Sequence, residues 1–310
     1  MSDKEVALIG ATGAIGKEVF KELIKEGYDV TVVARDTDKA GKLFPESKAV
    51  IKYNIADPES LSKAIEDVYG VINLAGAPIF EKWKGDYEHE VVESRVQGTA
   101  YIVNAISLCK KKPQVLINGS ASGFYGYSGA VNVDENSSSG TDFWGKLVKD
   151  WEGEALKARD HGLRVVLLRT TLVLKDGEGA LGVLVPYFKR GLGGYVRPGD
   201  QQFPWISIVD EVGIIMQCLK NDTFSGPINC VAGNITSRKF SETIGMAIGR
   251  RGSLPIPKFI IKSMFGKASD LVTQSQIVTS ARMEELKYEI QEKSMKDSLS
   301  NLFKENHSEP

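Results

Sequence analysis

Hydrophobic positions in the first half of the chain form short β-branched runs, separated by longer stretches with helical periodicity. The runs predict strands at 5–9, 29–33, 50–53, 71–74, 115–118 and 164–168, and the stretches between them predict helices at 15–26, 87–111 and 143–160. Strands that alternate with helices in this way build βαβ units and a parallel sheet. The pattern therefore predicts an α/β fold, a Rossmann-type doubly wound parallel sheet with helices on both faces.

This alternation ends after Arg169. Glycine and proline become frequent from 177 to 204, and helices are predicted at 181–190, 210–219, 237–249, 259–265 and 295–303. In a doubly wound sheet the ligand lies beyond the carboxyl ends of the strands, so an irregular second half is suited to cover a substrate. We predict a nucleotide-binding Rossmann domain over 1–175, extended by later segments up to about 250. Residues 176–310 then form a small mixed C-terminal substrate-side lobe, which includes a helical segment at 255–303.

A glycine-rich turn joins the first predicted strand to the first predicted helix. Gly10 permits a tight turn, Gly13 lets the backbone approach a pyrophosphate, and Gly16 lets helix and strand pack closely. The amides at the start of the helix then face the phosphates, assisted by the helix dipole. The spacing predicts a dinucleotide site, in which the turn also presents Thr12, Ala14 and Ile15.

The end of the second strand indicates which dinucleotide binds. An acidic residue there favours NAD, whereas an arginine accommodates the 2′-phosphate of NADP. The sequence reads Arg35-Asp36, which favours NADP (NADPH), with a solvated surface arginine as the alternative. Later strand ends are expected to line the adenine and the second half of the dinucleotide, with Asn54, Ile55, Leu74, Ala75 and Gly76.

The composition and charge of the chain argue against several classes of binding partner. The formal net charge is −1 over 310 residues, so no global field favours nucleic acid or an anionic membrane, and no apolar run is long enough to span a bilayer. The chain enters a strand almost at once, without the apolar stretch of a signal peptide. Three separated cysteines and three scattered histidines favour a reducing, cytoplasmic location and no metal site.

Several motifs together resemble the atypical, extended-like short-chain dehydrogenases/reductases. The segments Ser94-Arg95, Ser120 to Gly126, Trp151-Glu152, Gly191 to Gly194 and Gln202 to Ile206 are similar to epimerase-family oxidoreductases related to human short-chain dehydrogenase family 39U. The resemblance implies a nicotinamide cofactor and a small-molecule substrate. It also implies that the region from Pro255 to about Phe303 corresponds to the C-terminal domain of unknown function in those proteins.

The usual catalytic residues of that superfamily, a serine and a Tyr-x-x-x-Lys pair, are missing. A phenol has a pKa near ~10 and needs a lysine one helical turn away to transfer protons at neutral pH. Aligning on Glu152 places Trp144 and Val148 in the two positions, and the usual serine falls on Ala121. This departure argues against ordinary dehydrogenase chemistry but not against cofactor binding.

Replacement groups are available nearby. Ser120 and Ser122 could hydrogen-bond a substrate oxygen, and Tyr125, with Tyr127 close by, follows the fifth strand. Lys146 and Lys149 lie within a turn of the vacated positions. We select Ser120, Ser122, Tyr125 and Lys149 as catalytic candidates, with packed tyrosines and solvated lysines as the alternative.

Two arginines are further candidates for the cofactor site. Arg95 lies in the helix after the fourth strand and could face the cleft, or form a surface salt bridge instead. Arg169 ends the sixth strand and by position points toward the cofactor side of the sheet.

Two functions remain open from the sequence. The first is an NADP-dependent oxidoreductase or epimerase-like enzyme that acts on a small carbonyl or hydroxyl compound with a non-standard proton donor. The second is a non-catalytic, NADP-dependent binding or regulatory protein. The oligomeric state, monomer or homodimer, is also open.

Overall fold

The computed structural model describes residues 4–54, 57–127 and 132–305, and every structural statement below refers to that part of the chain. Its strands are β1 (Glu5–Ile9), β2 (Asp29–Ala34), β3 (Ala49–Lys52), β4 (Gly70–Asn73), β5 (Val115–Ala121), β6 (Asn132–Val133), β7 (Arg164–Thr170), β8 (Leu172–Leu174), β9 (Gly194–Val196), β10 (Gln202–Ser207), β11 (Gly226–Cys230), β12 (Gly233–Thr236), β13 (Leu254–Ile256) and β14 (Ile277–Val278).

The helices are α1 (Ala14–Lys25), α2 (Thr37–Leu43), α3 (Pro58–Ile65), α4 (Tyr87–Leu108), α5 (Phe143–Leu156), α6 (Gly179–Lys189), α7 (Ile208–Lys220), α8 (Ser237–Ala247), α9 (Lys258–Phe265), α10 (Asp270–Thr273), α11 (Met283–Leu286) and α12 (Met295–Glu305). Short 3-10 turns follow β5, at Ser122–Tyr125, and α5, at Lys157–His161.

Seven parallel strands form the main sheet in the order β11-β7-β5-β4-β1-β2-β3. The order reverses at β1, as in a doubly wound sheet, so the predicted fold class is confirmed. The sheet is buried on both faces: Leu8 of β1 packs with α1 and α7, whereas its neighbours Ala7 and Ile9 pack with α3 and α4. This double burial explains why the strands read as continuous apolar runs in the sequence.

The remaining strands form smaller sheets: β12-β10-β8, β13-β9 and β14-β6. A separate apolar core lies beneath the first of them, where Phe203 and Trp205 of β10 pack against α6, α8 and α12. Residues from 172 onward supply most of this second core, although β11 returns to the main sheet. The division of the chain into two domains near residue 175, with later segments joining the Rossmann domain, remains a prediction.

Sequence periodicity missed or misjudged several elements, among them every strand of the three smaller sheets. The last sheet strand, β11, was not predicted, because Gly-Pro-Ile-Asn-Cys lacks a β-branched run. Helix α2 was also missed, although Asp36 caps it by accepting a hydrogen bond from the Lys39 amide at 2.9 Å. The helix predicted to reach 160 ends at Leu156, and the 3-10 turn after it is terminated by Gly162 in a left-handed conformation (φ 85°).

A carboxylic acid lies inside the main core. Glu211 of α7 is fully buried, and it accepts a hydrogen bond from the Thr170 hydroxyl at 2.7 Å. Its other carboxyl oxygen has no partner among the described residues. Desolvation by burial raises the pKa of Glu211 to about 7, although hydrogen bonds from Thr170 and Cys230 oppose the shift.

Replacement of Glu211 by glutamine should remove a pH dependence of stability. The pKa of Glu211 in the folded protein, about 7, exceeds its ordinary value of 4.5. The protonated carboxyl therefore contributes its full stabilisation below pH 4.5, and this stabilisation is lost as the pH rises through 7. Relative to Glu211→Gln, the wild type should lose roughly 3 kcal/mol of unfolding free energy across that interval. Urea denaturation as a function of pH measures the difference, and parallel profiles for the two proteins would contradict it.

Candidate functional site

The glycine turn between β1 and α1 is pressed against the end of β4. Gly10 adopts φ 84°, and a Cβ at this position would lie 2.6 Å from the carbonyl carbon of Leu74. A Cβ at Gly16 would lie 2.2 Å from the Gly10 carbonyl oxygen. Glycine is therefore required at both positions by close backbone contacts, as the spacing in the sequence predicts.

The same turn opens the start of α1 to an anion. Gly13 is the N-terminal cap and supplies no side chain, and helical bonding begins when the Lys17 amide donates to the Gly13 carbonyl at 3.1 Å. The first-turn amides, those of Ala14, Ile15 and Gly16, have no intrahelical acceptor, as at any helix start. Thr12 and Gly13 are exposed. The cradle therefore fits a phosphate group held by backbone amides.

Two ion pairs tie a later segment to this helix start. Lys17 of α1 contacts Glu178 at 3.0 Å, and Lys175, which follows β8, pairs with Glu18. The loop after β8 therefore lies beside the glycine turn, where it borders the proposed phosphate position.

At the end of β2, the two neighbouring charges have different roles. The Asp36 carboxylate is occupied in capping α2, whereas Arg35 is exposed and makes no ion pair within the described residues. Asn54 follows β3 on the same edge of the sheet, and Ile55, also predicted to contact the cofactor, lies outside the described residues. An exposed guanidinium beside an occupied aspartate suits a phosphate better than a ribose hydroxyl.

Arg95 lies against the segment that follows β4. Its guanidinium carbon lies 3.0 Å from the position of a Cβ at Gly76 and 5.3 Å from the centre of the Trp151 ring. One of its nitrogens donates to the Val91 carbonyl at 3.3 Å, and no carboxylate pairs with it in the described chain. Burial lowers the pKa of Arg95 to about 10. A partly buried cation without a counter-ion beside Leu74, Ala75 and Gly76 is suited to an anionic or polar ligand group.

A buried polar network occupies the carboxyl ends of β5 and β7. Glu152 of α5 receives hydrogen bonds from the Ser120 hydroxyl at 2.6 Å and from two Arg169 nitrogens at 2.8 and 2.9 Å. Arg169 also donates to the Tyr125 hydroxyl at 3.0 Å, and Tyr125 donates to Asn229 at 2.6 Å. All five side chains are buried. The network joins the sheet to β11 through satisfied hydrogen bonds.

This network changes the interpretation of three predicted site residues. The structure brings Ser120, Tyr125 and Arg169 together, but their polar groups are directed at one another and at Glu152. Burial raises the pKa of Tyr125 to about 12, although Arg169 opposes the shift. Sequence reasoning did not assign Glu152 and Asn229 to this network. The sequence signal that could have identified Glu152 is its place among the apolar positions of α5, because it directly follows Trp151 and lies one turn after Val148.

The other catalytic candidates are separated by the structure. Lys149 and Lys146 are exposed, whereas Trp144, Val148 and their neighbours form the buried face of α5, so neither lysine is brought to the serines. Trp144 occupies the vacated tyrosine position, and its indole nitrogen is buried without a hydrogen-bond partner among the described residues. Ser122, in contrast, makes a hydrogen-bonding contact with the Tyr127 hydroxyl.

Within 4–54, 57–127 and 132–305, no group of three or more His, Cys, Asp or Glu side chains is arranged to hold a metal ion. None of the helices described there combines the length and apolar character that crossing a membrane requires.

Sequence comparison identifies close similarities over nearly the whole chain. Residues 6–230 match the model of the NAD dependent epimerase/dehydratase family. A protein of Arabidopsis thaliana named "Epimerase family protein SDR39U1 homolog, chloroplastic" is 34% identical over 301 residues, covering 96% of this chain and 86% of the relative. Human "Epimerase family protein SDR39U1" is 32% identical over 265 residues, covering 83% and 85%.

Solved structures agree with these matches. The crystal structure of human epimerase family protein SDR39U1 (isoform 2) with NADPH superposes with a TM-score of 0.85 at 29% identity, covering 97% of this chain and 99% of the human one. A structure described as the nucleoside-diphosphate sugar epimerase from Corynebacterium glutamicum gives a TM-score of 0.74 at 26% identity, covering 96% of this chain and 57% of that one.

The buried ion pair between Glu152 and Arg169 leads to a prediction about the free energy of unfolding. Glu152→Leu should cost about 3–5 kcal/mol of unfolding free energy, because it leaves the Arg169 charge buried without its carboxylate. Arg169→Met in the same protein should recover most of that loss, since both charges are then gone. Chemical denaturation of the two single variants and the double variant measures the coupling, and additive losses would contradict it.

Proposed function

Because this chain belongs to the NAD dependent epimerase/dehydratase family, we propose that it binds NADPH and acts as an oxidoreductase or epimerase-like enzyme on a small carbonyl or hydroxyl compound. The observation that carries the proposal is the uncapped start of α1, where three glycines leave backbone amides open and no Cβ fits between the turn and β4. Such a cradle is built for a diphosphate.

The residues that would hold the dinucleotide follow the edge of the sheet. The turn Gly10 to Gly16 would bind the pyrophosphate through its amides, and Arg35 would bind the 2′-phosphate of the adenosine ribose. The segment Leu74 to Gly76, with Asn54 and Arg95, would line the rest of the groove. The bound nicotinamide would supply a hydride, and the protein would supply orientation and proton transfer.

Support for NADPH over NADH comes from the two charges after β2. Asp36 is engaged by the cap of α2, whereas Arg35 is exposed and makes no ion pair among the described residues. The similar human protein was crystallised with NADPH, which agrees with this choice. Arg169 has a smaller part in the proposal than its position in the sequence suggested, because its donors serve Glu152 and Tyr125.

A specific observation also favours the second function, an NADP-dependent binding or regulatory protein. Tyr125 donates its proton to Asn229, and Lys149 lies on the exposed face of α5, so these two candidates do not form a proton-transfer pair. A binding protein would need the dinucleotide site without a proton donor. NADPH oxidation in the presence of a panel of aldehydes, ketones and quinones separates the two, because turnover favours the enzyme and tight binding without turnover favours the regulatory protein.

The second apolar core and the segments around it would form the substrate-side lobe over 176–310, with residues 1–175 and later sheet segments as the NADP-binding domain. A reducing compartment such as the cytoplasm suits the three buried free cysteines. The similar Arabidopsis protein is named as chloroplastic, so that location is an alternative.

Arg35→Ala tests the cofactor preference. Loss of a charge-assisted contact to the 2′-phosphate should weaken NADPH binding roughly ten- to a hundredfold. NADH lacks that phosphate, so its affinity should change little. Isothermal titration calorimetry of both nucleotides measures the effect, with Arg250→Ala as a control because Arg250 is also an exposed arginine. Equal losses for the two nucleotides would contradict the assignment of Arg35.

A further inference from the structure

Positive charge is concentrated in two segments of the C-terminal half of the chain. Residues 179–199 and 243–269 contain eight lysines and arginines and no aspartate or glutamate. Because the whole chain has a formal net charge of −1, the rest of it carries an excess of acidic residues. The small net charge therefore conceals a strong separation of charge along the sequence.

The fold brings the two segments together. Strand β9 of the first segment pairs in parallel with β13 of the second. A Cβ at Gly252 would lie 3.0 Å from the ring of Phe188, so the loop after α8 lies beside the end of α6. Arg197 and Lys258, one from each segment, line the same open cleft of about 690 Å³. We call the exposed surface of the two segments the basic face.

Most cations of the basic face have no counter-ion. Lys267 pairs with Glu88, whereas the other seven are exposed and make no ion pair within the part of the chain that the structure describes. These seven are Lys189, Arg190, Arg197, Arg250, Arg251, Lys258 and Lys262. Their charges are not neutralised by the protein, so they are available to attract an anionic partner.

Exposed apolar side chains are concentrated on the same face. Nine large hydrophobic side chains are exposed in the described residues, and six of them belong to the two segments: Tyr187, Leu192, Met246, Leu254, Phe259 and Ile260. A single exposed apolar side chain is ordinary in a folded protein, but a group of them marks an interaction surface. The basic face therefore combines unpaired positive charge with exposed apolar side chains.

Helix α9 shows this combination most clearly. None of its residues is buried. Phe259 is 71% exposed and Ile260 is 39% exposed, whereas the other apolar side chains of the helix are half-buried. The outward face of a surface helix is normally polar. In α9 the outward face instead carries these two apolar side chains between Lys258 and Lys262.

The apolar side chains distinguish among anionic partners. Nucleic acid or an acidic peptide would neutralise the cations, but phosphate and carboxylate groups offer no favourable environment to phenylalanine, isoleucine or leucine. The surface of a bilayer offers both environments. Its anionic headgroups attract lysine and arginine, and the boundary with the acyl chains buries aromatic and aliphatic side chains. The chemistry of the basic face therefore fits a lipid surface best.

We propose that the basic face binds the surface of an anionic phospholipid bilayer. The cations contact headgroup phosphates, and Leu254, Phe259 and Ile260 are buried at the boundary with the acyl chains. The contact is peripheral, confined to the headgroups and the upper part of the acyl chains. It does not use the glycine turn, so it goes beyond the proposed function and does not depend on it.

Vesicle binding by the full chain tests the charge contribution. The protein is mixed with vesicles of equal parts phosphatidylglycerol and phosphatidylcholine, or of phosphatidylcholine alone, and the bound fraction is measured by flotation. Binding is expected only to the anionic vesicles, and it should weaken as added salt screens the headgroup charge. Each cation removed should lower the partition constant roughly fivefold, so Lys258→Gln combined with Lys262→Gln should lower it roughly 25-fold.

The apolar contribution is tested with the charges intact. Phe259→Ala should lower the partition constant roughly tenfold, because the ring no longer enters the acyl boundary. Lys42→Gln combined with Lys63→Gln removes two exposed charges from α2 and α3, and Leu108→Ala removes an exposed leucine from α4. These matched controls lie outside the basic face and should bind like the wild type. Because all the substituted side chains are exposed, thermal unfolding should be unchanged in every variant.

Several results would overturn the proposal. The first is no binding of the wild type to the anionic vesicles at low salt, and the second is equal binding to phosphatidylcholine alone. Equal losses in the control variants and in the variants of the basic face would also contradict it. Binding to polyglutamate or to duplex DNA, without binding to the vesicles, would assign the basic face to an acidic macromolecule instead.

Discussion

Backbone contact between the glycine turn and the end of β4 is the constraint on which the rest of the site depends. Gly10 and Gly16 pack so closely against Leu74 and against each other that no side chain fits at either position. This packing sets where α1 begins, and it leaves the first amides of the helix facing the carboxyl edge of the sheet. The nearby arginines and the loop after β8 are arranged around that edge.

The segment from Ser120 to Tyr127 divides the site into two parts with different chemistry. Ser120 and Tyr125 belong to the buried network of Glu152 and Arg169, which ties β5, β7, α5 and β11 together. Ser122 lies outside that network, and the Gln276 side chain fixes the turn that contains it by donating to the Ser122 and Gly126 carbonyls. The network stabilises the sheet edge through satisfied hydrogen bonds.

Local sequence signals predicted the elements whose structure is determined by residues close to one another in the sequence. The strands of the buried sheet and the glycine turn follow from apolar runs and from spacing, so β1 to β5 and β7 were predicted to within a few residues. Strand β11 was missed, because its place beside β7 is set by tertiary pairing rather than by its own composition. The prediction that Arg169 faces the cofactor used strand position alone and could not include its pairing with Glu152, which is 17 residues away. The selection of Tyr125 as a catalytic candidate likewise could not include the hydrogen bonds of its hydroxyl with Arg169 and Asn229, which come from distant parts of the chain.

Dinucleotide binding at the glycine turn is tested by following backbone amide resonances while NADPH is added to the isotopically labelled protein. Saturable shifts are expected at one site per chain, largest for the amides of Gly13, Ala14, Ile15 and Gly16 at the start of α1. Shifts confined to other parts of the protein, or no shifts when NADPH or NADH is added, would contradict it.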